Sequence, residues 1–157
     1  MERETKITDM NLLGAFICES IENGREVNLT VTGDSMYPLF KSRVDTVVLN
    51  KPQKLKKRDI AFYKRDNGSY ILHRILKIKG DNLMIAGDNE LKKEYPVRKE
   101  QVIGVVKSFT RKGKAHTVDE LWYKIYSFIW CVFFPIRPLI LRFLLKLVRL
   151  KVRRRGK

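Results

Sequence analysis

Cysteine, histidine and acidic side chains are all scarce in this chain, and so are long apolar runs near its start. The two cysteines, Cys18 and Cys131, stand in segments of unlike character, with no CxxC pair and no histidine at metal-ligand spacing, which predicts neither a disulfide nor a zinc site. Residues 1–11 are charged and lead into no apolar run of about 7–15 residues, so neither a secretory signal peptide nor an N-terminal membrane anchor is expected. The shortage of acid leaves 33 Lys/Arg against 17 Asp/Glu, a formal net charge of +16. Most of that surplus lies beyond residue 110, where Asp119 and Glu120 are the only acidic residues. Such a tail attracts nucleic acid and anionic lipid alike by Coulomb forces, and the apolar residues between its charges have to decide between them.

What is present fits one ordinary domain with an appendage, since 157 residues are too few for two full cores. Apolar residues at helical spacing, Leu12, Leu13, Phe16, Ile17 and Ile21, predict an amphipathic helix over residues 8–23, capped by Thr8 or Asp9 and ended by Gly24. Cys18 sits beside that stripe as a packed thiol. The period then falls to two: Val27, Leu29 and Val31 alternate with polar residues, and strand-like runs follow at 46–49, 60–63, 70–78, 82–86 and 102–109. Turn residues separate them, and Asp66-Asn67-Gly68 is a strong hairpin signal because Asn and Gly accept the positive φ of tight hairpins. The fold class expected is mainly β, an antiparallel sheet domain over residues 1–115 with a short N-terminal helix, followed by a helical tail over residues 116–157.

The tail has two halves. Residues 119–134 are rich in aromatic and aliphatic side chains, but the uncharged run 125–136 falls short of the roughly 20 residues that cross a bilayer. Pro135, Arg137 and Pro138 interrupt it. Beyond them Arg142, Lys146, Arg149 and Arg153 share one helical face, with Leu141, Leu144, Leu145 and Val148 on the other. This predicts amphipathic helices lying in a membrane interface, with Trp and Tyr at headgroup depth and basic residues on anionic lipid, through residues 119–157. The competing reading packs the first half on the β-domain and leaves a basic nucleic-acid arm; it is disfavoured because a phosphate binder has no need of long apolar runs. A helical hairpin dipping into the bilayer is the third possibility.

Three residues have the types that acyl transfer requires. Ser35, in Thr32-Gly33-Asp34-Ser35-Met36-Tyr37-Pro38, follows a strand and a glycine turn, where its hydroxyl is presented and its own backbone N–H can point to an oxyanion. His73 lies in the apolar run Ile71-Leu72-His73-Arg74-Ile75, and an unperturbed imidazole suits it to accept the serine proton near neutral pH. Asp88, in Gly87-Asp88-Asn89, either bonds its own turn or orients the imidazole through the second ring nitrogen. Strand alternation puts Leu72 and Arg74 on the face opposite His73.

Gly33-Asp34-Ser35-Met36-Tyr37-Pro38, Leu55-Lys56-Lys57-Arg58-Asp59-Ile60-Ala61-Phe62, Ile71-Leu72-His73-Arg74-Ile75 and Ala86-Gly87-Asp88-Asn89, in that order over about residues 26–110, resemble the S24/S26 peptidase superfamily. Where bacterial signal peptidases and LexA-type repressors use a lysine base, this chain has His73 followed by Arg74, which looks like the endoplasmic-reticulum and archaeal type of signal peptidase I. The resemblance implies coiled antiparallel sheets and a serine endopeptidase that cleaves leader or signal peptides from precursor proteins without metal or cofactor. It also implies that Ser35 is the nucleophile, His73 its base and Asp88 the group that holds His73.

The chain departs from that pattern in four respects. Val44-Asp45 and Arg58-Asp59 stand where the family has Gly-Asp, and both aspartates are expected to be structural. Asp34 precedes the nucleophile where signal peptidases have a small residue. A second aspartate that often follows Gly-Asp-Asn is missing, with Glu94 near its place. Finally, the membrane-like segment is C-terminal, which implies association with a cell membrane, and the basic end favours the cytoplasmic side if any part spans. A LexA-like self-cleaving regulator and a catalytically silent membrane- or peptide-binding relative are the alternatives.

Overall fold

A computed structural model describes residues 10–137 and 139. The N-terminal helix α1, Met10–Glu22, leads into β1, Val27–Thr30, and the strands β2, Thr46–Asn50, β3, Ile60–Lys64, β4, Tyr70–Lys79, and β5, Asn82–Ala86, follow much as their alternation predicts. Three elements are additional or longer: β6, Glu94–Arg98, β7, Val102–Arg111, and β8, Lys114–Thr117, which crosses the expected boundary at residue 115. A helix α2, Leu121–Val132, and a 3₁₀ turn, Phe134–Ile136, follow. The expected α1 cap at Thr8 or Asp9 and the expected amphipathic helix bearing Arg142, Lys146, Arg149 and Arg153 lie outside the described residues.

All described pairings are antiparallel, in the order β1-β2-β7-β3-β4-β5-β6 with β8 also on β7. The long β7 joins both halves of the sheet, pairing with β3 through Val102–Val105 and with β2 through Val105–Thr110. Register shifts within both pairings add local twist there, as an extra residue in one strand does.

Apolar side chains fill both sides of this sheet. One core joins α1 to β1, β2 and β7 through Ile17, Ile21, Val31, Val47, Leu49 and Phe109; the other gathers Ala61, Tyr63, Ile75, Leu83, Ile85 and Val97. Each fully buried Ile, Leu or Phe contributes about 1.5–3 kcal/mol of transfer free energy. Within α1 the buried side is Leu13, Ile17, Ser20 and Ile21, whereas Phe16, expected on the same stripe, is 61% exposed. Gly14 lets the Tyr70 ring lie directly on the helix, since a Cβ there would come within 2.0 Å of the ring.

The two aspartates without their glycines are structural. Asp45 accepts the N–H groups of Lys41 at 2.7 Å and of Lys112 at 3.0 Å, and Asp59 accepts that of Lys56 at 2.8 Å. Arg58 takes the positive φ of 81° that a glycine would adopt freely.

The tail differs from the expectation in a specific way. Tyr123, Ser127, Trp130, Phe134 and Arg137, spaced by four, three, four and three residues, are buried against the β-domain. Trp130 and Tyr123 are therefore turned inward rather than set at headgroup depth. Leu121, Ile125, Phe128, Val132, Phe133 and Leu139 remain exposed on the outer side. No described helix is long and apolar enough to cross a membrane.

Candidate active site

Ser35 stands in the irregular loop between β1 and β2. Gly33 opens the loop with a φ of 80°, and its N–H donates to Ser42 Oγ at 3.0 Å. Met36, Leu39 and Phe40 are each 1% exposed and bind the loop to the core, while Ser35 stays half-buried and Asp34 exposed. Arg111 secures the far side of the loop, its guanidinium donating to the carbonyls of Leu39 at 2.8 Å and Pro38 at 3.2 Å. Among the described residues the Ser35 N–H has no hydrogen-bond partner, whereas its carbonyl accepts the Asn89 N–H at 2.7 Å. A cavity of about 190 Å³, lined by apolar side chains that include Leu13, Ile17, Leu29, Val31, Met36 and Leu72, reaches Ser35.

His73 lies on β4 opposite Ala61 of β3, on the face that also carries Tyr63, Ile75 and Ile85. Ile85 pairs in turn with Glu94 of β6, which brings that carboxylate to the same face. Glu94 Oε1 is 3.2 Å from His73 Nδ1, and the Tyr63 hydroxyl is 3.5 Å from the same nitrogen. The other nitrogen, Nε2, borders Gly87. A Cβ built on Gly87 would lie 3.1 Å from His73 Nε2 and 2.5 Å from the Ser35 carbonyl oxygen, so the imidazole and the serine main chain flank this glycine. Glu90 Oε1 approaches Nε2 to 3.6 Å. No hydrogen bond joins Ser35 to His73 among the described residues.

Burial dominates the electrostatics of the imidazole and lowers its pKa below the ordinary 6.5, against the upward pull of Glu90 and Glu94. A neutral ring is the consequence, the form a general base needs. Burial would raise the Glu94 carboxyl, but Arg65 and the Tyr63 hydroxyl outweigh it and hold its pKa below the ordinary value. Arg65 grips this carboxylate with Nε on Oε2 at 2.8 Å and Nη2 on Oε1. Glu94 is thus an anion fixed beside Nδ1.

Asp88, expected to hold His73, is engaged elsewhere. Its carboxylate takes two 2.8 Å hydrogen bonds from Arg74 Nε and Nη2 and a third from the Tyr126 hydroxyl at 3.0 Å, and both partners of the ion pair are fully buried. The reason is register: Arg74 pairs with Ala86, so Asp88, two residues further on, belongs to Arg74's face of the sheet and not to that of His73. Arg74 completes its set with the Arg58 carbonyl at 3.0 Å and the Tyr123 hydroxyl at 3.3 Å.

His73, Glu90 and Glu94 also place donor atoms within 4.8 Å of one another, a grouping that the sequence spacing did not suggest. The two carboxylates face different ring nitrogens, and Glu94 is already bound to Arg65, so the arrangement suits proton transfer better than a cation. Sequence reasoning also missed Tyr63, Trp130 and Arg137. For Tyr63 the signal was the alternation of the 60–63 run, and for Trp130 and Arg137 it was the spacing of the buried positions of the tail; the strand of Glu94, with one buried position and a proline, carried none.

A family model described as Peptidase S24-like matches residues 6–107, a stretch that includes Ser35, His73, Asp88 and Glu94. The chain belongs to the Peptidase S24-like family. No curated protein matches the chain. Membership agrees with the S24/S26 resemblance of the four motifs and with a serine peptidase or LexA-like fold. Helix α2, with Trp130, and the turn before Arg137 lie outside the matched part of this S24-like chain.

Proposed function

We propose that this S24-like chain is a serine endopeptidase of the signal peptidase I type, cleaving leader or signal peptides from precursor proteins at a membrane. Ser35 Oγ attacks the scissile carbonyl, and His73 Nε2 takes its proton and later passes one to the leaving amine. The Ser35 N–H faces the oxyanion. Glu94 fills the orienting role at Nδ1, and Asp88 braces the loop beside the serine. The mechanism uses no metal or cofactor.

The observation that carries this reading is the placement of one buried ring, its Nε2 sharing Gly87 with the Ser35 carbonyl and its Nδ1 facing Glu94. The apolar cavity reaching Ser35 suits a small apolar substrate side chain. The outer face of α2, with Ile125, Phe128 and Val132 about half exposed, is proposed to dock on anionic lipid, helped by the basic residues of 119–157.

Cleavage of a model precursor with small residues before the scissile bond, in liposomes, tests this directly. Activity in the wild type that disappears in both Ser35→Ala and His73→Ala, with folding intact, is the expected result. Cleavage surviving Ser35→Ala would remove the nucleophile. Mass spectrometry of the enzyme itself distinguishes the LexA-like alternative, which requires a cut in its own chain.

A further inference from the structure

Residues 87–89 form the short bridge between nucleophile and base; within it the Gly87 carbonyl takes the Glu90 N–H at 3.1 Å, and the Asp88 carboxylate is committed to Arg74 and Tyr126. Gly87 separates His73 Nε2 from the Ser35 carbonyl, and Asn89 donates to that carbonyl. The bridge is gripped from the far side by the C-terminal end of the described chain. Trp130 Nε1 donates to the Asp88 carbonyl at 2.8 Å, and Arg137 Nη1 donates to the Gly87 carbonyl at 2.9 Å. Arg137 Nε returns to the Trp130 carbonyl at 3.0 Å, which ties the two donors to each other.

Arg137 is an expensive way to fill this position. It is fully buried, its guanidinium lies 4.4 Å from the Phe134 ring centre and 3.9 Å from Asp88 Oδ1, and Asp88 already holds three hydrogen bonds from Arg74 and Tyr126. An apolar side chain would pack there without the desolvation that a buried cation suffers. What an apolar side chain lacks is the N–H aimed at the Gly87 carbonyl.

We propose that Trp130 and Arg137 are positioning residues of the active site, holding residues 87–89 in the arrangement that sets His73 against the Ser35 loop. The helical segment beyond the S24-like match is then part of the catalytic apparatus as well as a surface. This rests on the serine-peptidase reading for its chemistry, and the test separates the two.

The full chain is treated with a fluorophosphonate, whose phosphorus forms a bond to Ser35 Oγ as fluoride leaves and the serine proton passes to His73. The labelling rate is followed against pH for the wild type, Ser35→Ala, Trp130→Phe, Arg137→Gln and Arg137→Lys, with circular dichroism as the control for folding. The His73 ring is titrated by NMR in the same proteins and assigned with His73→Gln. Trp130→Phe keeps the ring stacked on Tyr126 and removes a single hydrogen bond, so it is the variant least prone to unfold.

The expected result is labelling of the wild type, none of Ser35→Ala, and rates about tenfold lower in Trp130→Phe and Arg137→Gln with a displaced His73 titration. Arg137→Lys should recover part of the loss. Wild-type rates and an unmoved His73 titration in both folded variants would overturn the positioning role. An unlabelled wild type whose His73 titration still moves in the variants would remove the peptidase reading and leave the positioning role standing.

Discussion

His73 and Arg74 are adjacent in sequence and serve opposite faces of β4, the imidazole meeting Glu94 at 3.2 Å while the guanidinium closes on Asp88 through two 2.8 Å hydrogen bonds. Each acid therefore has its own partner, and the two should respond differently to substitution.

Asp88→Ala leaves Arg74 buried without its counter-charge, and breaking a buried pair in this way costs about 3–5 kcal/mol. Urea denaturation should show that loss. Glu94 is part-exposed and keeps company with Arg65, so Glu94→Gln should fold nearly as well as the wild type and instead lower the cleavage rate on the order of 10²-fold. Equal rates in Glu94→Gln and wild type would return the orienting role to some other group.

The pH dependence follows from burial of His73. Its pKa in the folded protein lies below the 6.5 of the unfolded chain, so between those values only the unfolded state takes up the proton. Stability is therefore greatest above pH 6.5 and declines as pH falls below it. The lowered Glu94 carboxyl acts in the same sense at more acidic pH, its contribution being lost as it becomes protonated. The acidic limb of the rate should likewise have its midpoint below 6.5. Chemical denaturation at several pH values checks the first point, and His73→Gln should flatten the dependence near its onset.

Gly87 has no room for a side chain. In Gly87→Ala the new methyl would meet the Ser35 carbonyl at 2.5 Å and the His73 ring at 3.1 Å, forcing the Ser35 and His73 segments apart. A cost of about 1–3 kcal/mol is expected from overpacking, together with a loss of activity larger than that destabilisation explains. Thermal melting set against the cleavage rate separates the two effects.

Lipid docking should depend on side chains that the fold does not need. Phe128 is 55% exposed and Ile125 50% exposed, so Ile125→Glu and Phe128→Glu should leave the melting temperature nearly unchanged. Burial of one such side chain in lipid is worth about 1.5–3 kcal/mol, so each substitution should reduce partition into anionic vesicles roughly tenfold or more. Flotation with vesicles of defined composition measures it.

The strands were readable because alternation reports burial, and His73 stands in a run whose pattern is plain. β6 was not, because Glu94-Tyr95-Pro96-Val97-Arg98 has one buried position and a proline, as an edge strand tolerates. The partner of Asp88 was hidden for another reason. Motif order brings Asp88 close to His73, but only the pairing of Arg74 with Ala86 reveals which face it occupies. In the tail, apolar and basic content suggested an interfacial helix, whereas Arg137 on the buried side donates to the β-domain's Gly87 carbonyl.

The loop that carries Ser35 is closed on itself at its base. Val31 donates to the Asp45 carbonyl at 2.9 Å, Arg43 donates to the Val31 carbonyl at 2.7 Å, and the Asp45 carboxylate ties Lys41 to Lys112 of the β7–β8 turn. Such a loop behaves as a cassette whose ends are already joined. Its length can change little, because a residue added between Val31 and Asp45 would open the ring, whereas exposed side chains such as Thr32, Asp34 and Lys41 are free to diversify. New specificities in a protein built this way would arise by changing the rim of the ring and the cavity beneath it, with the nucleophile carried along unchanged.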